Sequence, residues 1–109
     1  MTMPTPGTRV IEEIDSHPEP PYHLILLDDN EHTYQYVIAM LGSVFGYAPE
    51  KGFAIACVVD SEGQAILMTG GLDEVKLKQD QVHGYGADPA MPESKGSMSA
   101  VIEPAVSPG

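Results

Sequence analysis

The chain is laid out in blocks whose hydrophobic period changes. Tyr22 to Leu27, YHLILL, is an apolar run long enough for one strand. Both of its alternating sets are apolar, which predicts a central or covered strand. Asp28-Asp29-Asn30-Glu31-His32 follows as a polar, acidic turn. From Thr33 to Phe45 the spacing becomes three and four: Tyr34, Val37, Ile38, Leu41, Val44 and Phe45 share one helical face. Thr33 is the expected N-cap, with Asn30 as its competitor, and Gly46 is the expected C′ residue. A strand thus ends in carboxylates about one turn before a helix begins, leaving backbone groups open beside concentrated charge.

The remaining blocks follow the same logic. Pro49 suits the first turn of a second helix, expected over Pro49 to Val59, with Phe53, Ala56, Cys57 and Val59 on its buried side. Gly52 should weaken that helix by ~1 kcal/mol relative to alanine. Asp60-Ser61-Glu62-Gly63 reads as a turn, Gln64 to Thr69 as a strand, and Gly70-Gly71 as its end. Leu72 to His83 is a third helix with an inner stripe of Leu72, Val75, Gln79 and Val82. Gly84, Gly86, Pro89 and Pro92 mark a long loop, and Ser97 to Glu103 is the last strand, with Met98, Ala100 and Ile102 turned inward. The order β-α-α-β-α-β predicts an α+β fold: a three-stranded, mainly antiparallel sheet with three helices packed on one face. There is no GxGxxG and no βαβαβ alternation, so a dinucleotide fold is disfavoured.

Composition narrows the function. Sixteen acidic residues face five basic ones, a formal charge of −11, with a pI near 4.4. Nucleic acid and acidic membrane surfaces need clustered Lys and Arg and are disfavoured; a cationic partner suits the charge. The single cysteine, Cys57, forms no internal disulfide and points to a reducing cytoplasm. Neither a secretory signal nor a bilayer-length apolar stretch is expected. Residues 1–21, with prolines at 4, 6, 18, 20 and 21, read as a flexible tail, and residues 22–105 as one domain.

Candidate chemistry centres on the acidic turn. Its spacing does not match a calcium loop, no histidine pair has helical i, i+4 spacing, and no metal or other cofactor is expected. Cys57 sits within FAIACVV, where a thiol is more often inert filler than nucleophile, and no GxSxG occurs. An enzyme is therefore not expected. Capture of a peptide amino terminus fits better. An α-ammonium offers charge and three donors, and Asp28, Asp29 and Asn30 from the turn, with Asp60 from the second helix, can hold it. Tyr34, Val37, Ala56 and Val59 can wall a slot for its side chain, or be ordinary core.

With these residues in view the chain resembles the ClpS family, adaptors that deliver N-degron substrates to the Clp ATP-dependent protease. The likeness runs from Pro21 to about Ala105 and rests on LILL, the acidic turn, Tyr36-Val37-Ile38 with Leu41, Phe45 to Tyr47, Glu62-Gly63 and the closing VIEPA. The resemblance implies that Asp28 and Asp29, where the family has Asn-Asp, grip the amino group of a bulky hydrophobic N-terminal residue. Tyr34 stands at the family's gating methionine. Asp60 replaces a histidine that contacts the bound amine. Ala56 and Val59 match the pocket Met and Val, and Met98 completes the lining. Lys76-Leu77-Lys78 departs from the family's Glu-Thr-Lys, in the region that faces the ATPase. The implied partners are a Clp-family AAA+ ATPase and N-degron substrates, bound by a cytoplasmic monomer whose tail engages the ATPase. The alternative is a divergent interaction domain that has lost N-degron recognition, its pocket filled by Tyr34.

Overall fold

The computed structural model describes residues 20–105. The expected tail, apart from its last two residues, lies outside that range. Six elements follow in chain order: β1 (Tyr22–Leu27), α1 (Tyr34–Phe45), α2 (Pro49–Glu62), β2 (Gln64–Gly70), α3 (Leu72–His83) and β3 (Ala100–Pro104). The strands form one antiparallel sheet in the order β2-β1-β3. The run that is apolar on both sets is therefore the central strand. Leu24 and Leu26 are fully buried beneath the helices. Ile25 points the other way, yet it is almost fully buried, flanked by Ile66 on β2 and Val101 on β3. A register shift between Leu24 and Ile25 leaves Leu67 as an extra β2 residue, and Ala65 and Leu67, two apart on the strand, are both buried.

The helices differ from the sequence expectation in instructive ways. Thr33 caps α1, its hydroxyl accepting from Tyr36 N at 3.1 Å, and Gly46 closes it at φ 74°. The buried centre of α1 is Tyr36, Val37, Met40 and Leu41, rotated from the expected face because a later loop packs on the far side of the helix. Helix α2 continues past Val59 to Glu62, since Gly63 adopts φ 86° and donates to Val59 O, carrying Asp60, Ser61 and Glu62 into the last turn. Its buried side is Gly52, Ala56 and Val59. Phe53 is 52% exposed and Cys57 only half-buried. Gly52 displaces them because a Cβ there would stand 3.2 Å from Ile38 Cα, so α1 and α2 approach backbone to backbone. The last strand begins at Ala100, although Leu27 N still donates to Ser99 O at 3.0 Å.

Candidate functional site

The strand-to-turn junction is fixed first. Asp28 N donates to Gly63 O at 3.0 Å, tying the end of β1 to the end of α2. This bond brings the acidic turn to the mouth between the first turn of α1 and the last turn of α2. Extension of α2 to Glu62 places Asp60 one turn beyond Ala56, on a rigid helix and not in a loop.

The two helices and the turn enclose a hollow of about 70 Å³. Asp28, Asp60 and Tyr34 stand at its polar side, and Val37, Ala56, Val59 and Met98 supply the apolar walls. Val37, Ala56, Val59 and Met98 are themselves buried. Tyr34 spans the mouth: its hydroxyl donates to Asp60 Oδ2 at 2.7 Å. Its ring meets Phe53 edge-on, with centroids 5.7 Å apart. The hydrogen bond to Asp60, joined by desolvation and the nearby negative charge, pushes the Tyr34 phenol up to about 12. Asp28 is exposed, and among the described residues its carboxylate has no side-chain hydrogen-bond partner. An acidic lip over an apolar floor is suited to a small cation carrying an apolar substituent.

The other side of Thr33 is built differently. Asp29 Oδ1 accepts from Glu31 N at 2.8 Å and lies 2.8 Å from His32 Nδ1. The opposite nitrogen, His32 Nε2, is 2.7 Å from Gly96 O. Both partners are acceptors, and the two contacts fix the orientation of the ring between the acidic turn and the 84–99 loop. Asp88, 3% exposed, accepts from Thr33 N at 2.6 Å and from Ala90 N at 2.8 Å. Burial would raise its carboxyl, but the Thr33 and Ala90 backbone donors outweigh it and hold the group below its ordinary value. Tyr36 donates from its hydroxyl to Gly86 O at 2.6 Å. These contacts clasp the 84–99 loop to the start of α1.

The structure thus gathers Asp28, Asp29, Tyr34, Val37, Ala56, Val59, Asp60 and Met98 around one hollow. Asn30 is exposed and does not line it, because the turn directs the Asp29 side chain inward in its place. Sequence reasoning missed His32 and Thr33 as lining residues and Asp88 as a structural carboxylate. Their partners lie 64 and 55 residues away, beyond the reach of any local pattern. A wider groove of about 630 Å³ between α1 and α3 holds Lys78, whose ammonium already donates to Val44 O at 2.7 Å. Among the described residues no group of three or more His, Cys, Asp or Glu is arranged to hold a metal, and no helix is long and apolar enough to cross a membrane.

Comparison with known proteins gives a consistent answer. A family model described as ATP-dependent Clp protease adaptor protein ClpS matches residues 17–92. The ClpS adapter of Streptomyces coelicolor is 31% identical over 81 residues, covering 72% of this chain and 84% of its own. That of Neisseria meningitidis serogroup A is 32% identical over 73 residues, covering 67% and 71%. Among solved structures, Agrobacterium tumefaciens ClpS2 bound to L-phenylalaninamide superposes with a TM-score of 0.67 at 20% identity, covering 78% of this chain and 96% of that one. At that identity the likeness is one of fold.

Proposed function

Because the chain belongs to the ClpS family of Clp protease adaptors, which are not enzymes, we propose that it captures substrates by a free N-terminal residue. The bulky hydrophobic side chain of that residue would enter the hollow between α1 and α2. One observation carries this reading: two carboxylates from separate elements, Asp28 and Asp60, share a small cavity with an apolar lining of Val37, Ala56, Val59 and Met98. A carboxylate lip answers the ammonium, and the apolar lining answers the side chain. The ligand named with Agrobacterium tumefaciens ClpS2, L-phenylalaninamide, has the same two parts, an α-amine and an apolar ring. In this reading Asp28 and Asp60 take the charge directly, and Asp29 acts through His32 to hold the turn. The adaptor works as a cytoplasmic monomer, and residues 1–21 engage the AAA+ ATPase that receives the substrate.

Immobilised peptides beginning with Leu or Phe test it. Retention should require a free amine, vanish on acetylation, and fall about tenfold in Asp60→Asn, the scale of one charge-assisted hydrogen bond. A second reading, an interaction domain without N-degron recognition, draws on the bond from Tyr34 to Asp60 across the mouth. Equal retention of free and acetylated peptides would favour that one.

A further inference from the structure

The first turn of α1 has a second cavity on its far side. The 84–99 loop packs there and leaves a cleft of about 240 Å³, lined by Tyr36 and Ala39 on α1 and by Tyr85, Pro89 and Ala90 on the loop. We propose that this cleft is a second subsite for the same substrate, taking an aromatic side chain from about the fourth or fifth residue of the captured chain. The inference rests on the amino-terminal capture described above and adds a downstream requirement to it.

The cleft is apolar because its polar groups are already paired. Tyr36 donates its hydroxyl to Gly86 O at 2.6 Å, and the Asp88 carboxylate accepts from Thr33 N and Ala90 N. What remains for a ligand is ring and hydrocarbon surface: Tyr85, 38% exposed, with Ala39, Pro89 and Ala90, all exposed as well. A cavity of about 150 Å³ holds one benzene ring, so this cleft admits a phenyl or phenol group with room for its methylene. Such a ring meets Tyr85, which already stands edge-on to Tyr36 with centroids 5.4 Å apart, and aromatic contacts add to the gain from burial. Gln35, exposed at the rim, offers its amide to the peptide backbone.

The position of the cleft decides its occupant. Thr33 lines both the hollow and the cleft. His32, on the hollow side, holds its ring 4.5 Å from that of Tyr36, on the cleft side. The two cavities are therefore neighbours across the start of α1. A helix with its side chains is ~10 Å across, and an extended chain covers ~3.3 Å per residue. About three residues carry a substrate from the hollow to the cleft. Charge favours the same occupant. Asp28 and Glu31 lie exposed on the turn beside Thr33, which draws a cationic chain end and repels acidic chains. A second copy of this protein carries a formal charge of −11, and residues 1–19 hold Glu12, Glu13, Asp15 and Glu19 against Arg9 alone.

The experiment titrates fluorescent Leu-initiated peptides of one composition onto the full chain. Each carries a single Phe, at position four, five or eight of a Gly-Ser background, and each is made free and acetylated. Phe at four or five should tighten binding of the free peptide about fivefold over Phe at eight. Ala39→Gln, which puts a longer side chain into the cleft from an exposed helical position, should bring that ratio to about one, and so should Tyr85→Ser. Thermal melts of Ala39→Gln that coincide with the parent's exclude a folding defect as the cause. If the parent's ratio is already one while acetylation still abolishes binding, the subsite is wrong and amino-terminal capture stands. If free and acetylated peptides bind alike, capture falls and the subsite with it. A dimer in sedimentation that Ala39→Gln dissolves would give the cleft to a second copy and overturn the subsite as well.

Discussion

Two aspartates, Asp88 and Asp60, stand on opposite sides of the first turn of α1 and differ in everything but chemistry. Asp88 is buried and bonded to the backbone N–H groups of Thr33 and Ala90. Those donors belong to the main chain and cannot turn away without unfolding the turn. Asp60 is exposed, and its one side-chain partner among the described residues is the Tyr34 phenol, a group on a rotatable side chain. A carboxylate saturated by fixed donors is architecture. A carboxylate whose only donor can leave is available to a ligand. Composition makes the chain acidic overall, but of these two carboxylates only Asp60 is free to act.

Three measurements would break or sharpen that contrast. The largest effect on stability should come from Asp88→Ala, which strands the Thr33 donor at the start of α1 and the Ala90 donor in the 84–99 loop and releases that loop; chemical denaturation should show the lowest midpoint of the three variants named here. Its pH signature has a defined sign. The carboxyl is held below its ordinary value, so its contribution is present above the usual carboxylate range and is lost as pH falls through the lowered folded value. Asp88→Ala should therefore flatten the acid limb of a stability–pH curve. Next comes Thr33→Ala, which keeps the backbone bond to Asp88 but removes the hydroxyl that accepts from Tyr36 N; a loss of ~1 kcal/mol is expected in the same denaturation assay. The smallest effect belongs to the exposed pair. An ultraviolet titration should show one phenol ionising at about 12, above its ordinary 10.0, returning toward the ordinary value in Asp60→Asn. Its contribution to stability is present below about 10 and is lost as pH rises toward about 12.

Much of this was legible in the chain and the rest fails for stated reasons. Element order was readable because glycine and proline punctuate runs of clear period: Gly46 and Gly63 do adopt left-handed backbone at helix ends. The lining of the hollow was readable because Asp28 and Asp60 each close an apolar segment. The face of α1 was misplaced because Tyr36 is buried by the 84–99 loop, through its bond to Gly86 and its contact with Tyr85, 5.4 Å between ring centroids. No helical period records a partner 50 residues away. Phe53 read as core because size and apolarity argue for burial, whereas the interface had already been taken by a residue with no side chain. Asp88 was invisible because an aspartate beside a proline in a loop looks the same whether solvated or sealed.

The contact of Gly52 on Ile38 bears on kinetics. No side chain fits between the two main chains at that point, so α1 and α2 already sit as close as they can there and the jaws of this site close no further. A side-chain rotation at the rim widens the mouth without moving either helix. Such rotations at exposed residues run on picosecond to nanosecond scales, while packed helices slide in microseconds or longer. Encounter with a chain end should therefore be governed by diffusion and field, with no slow breathing of the scaffold ahead of it.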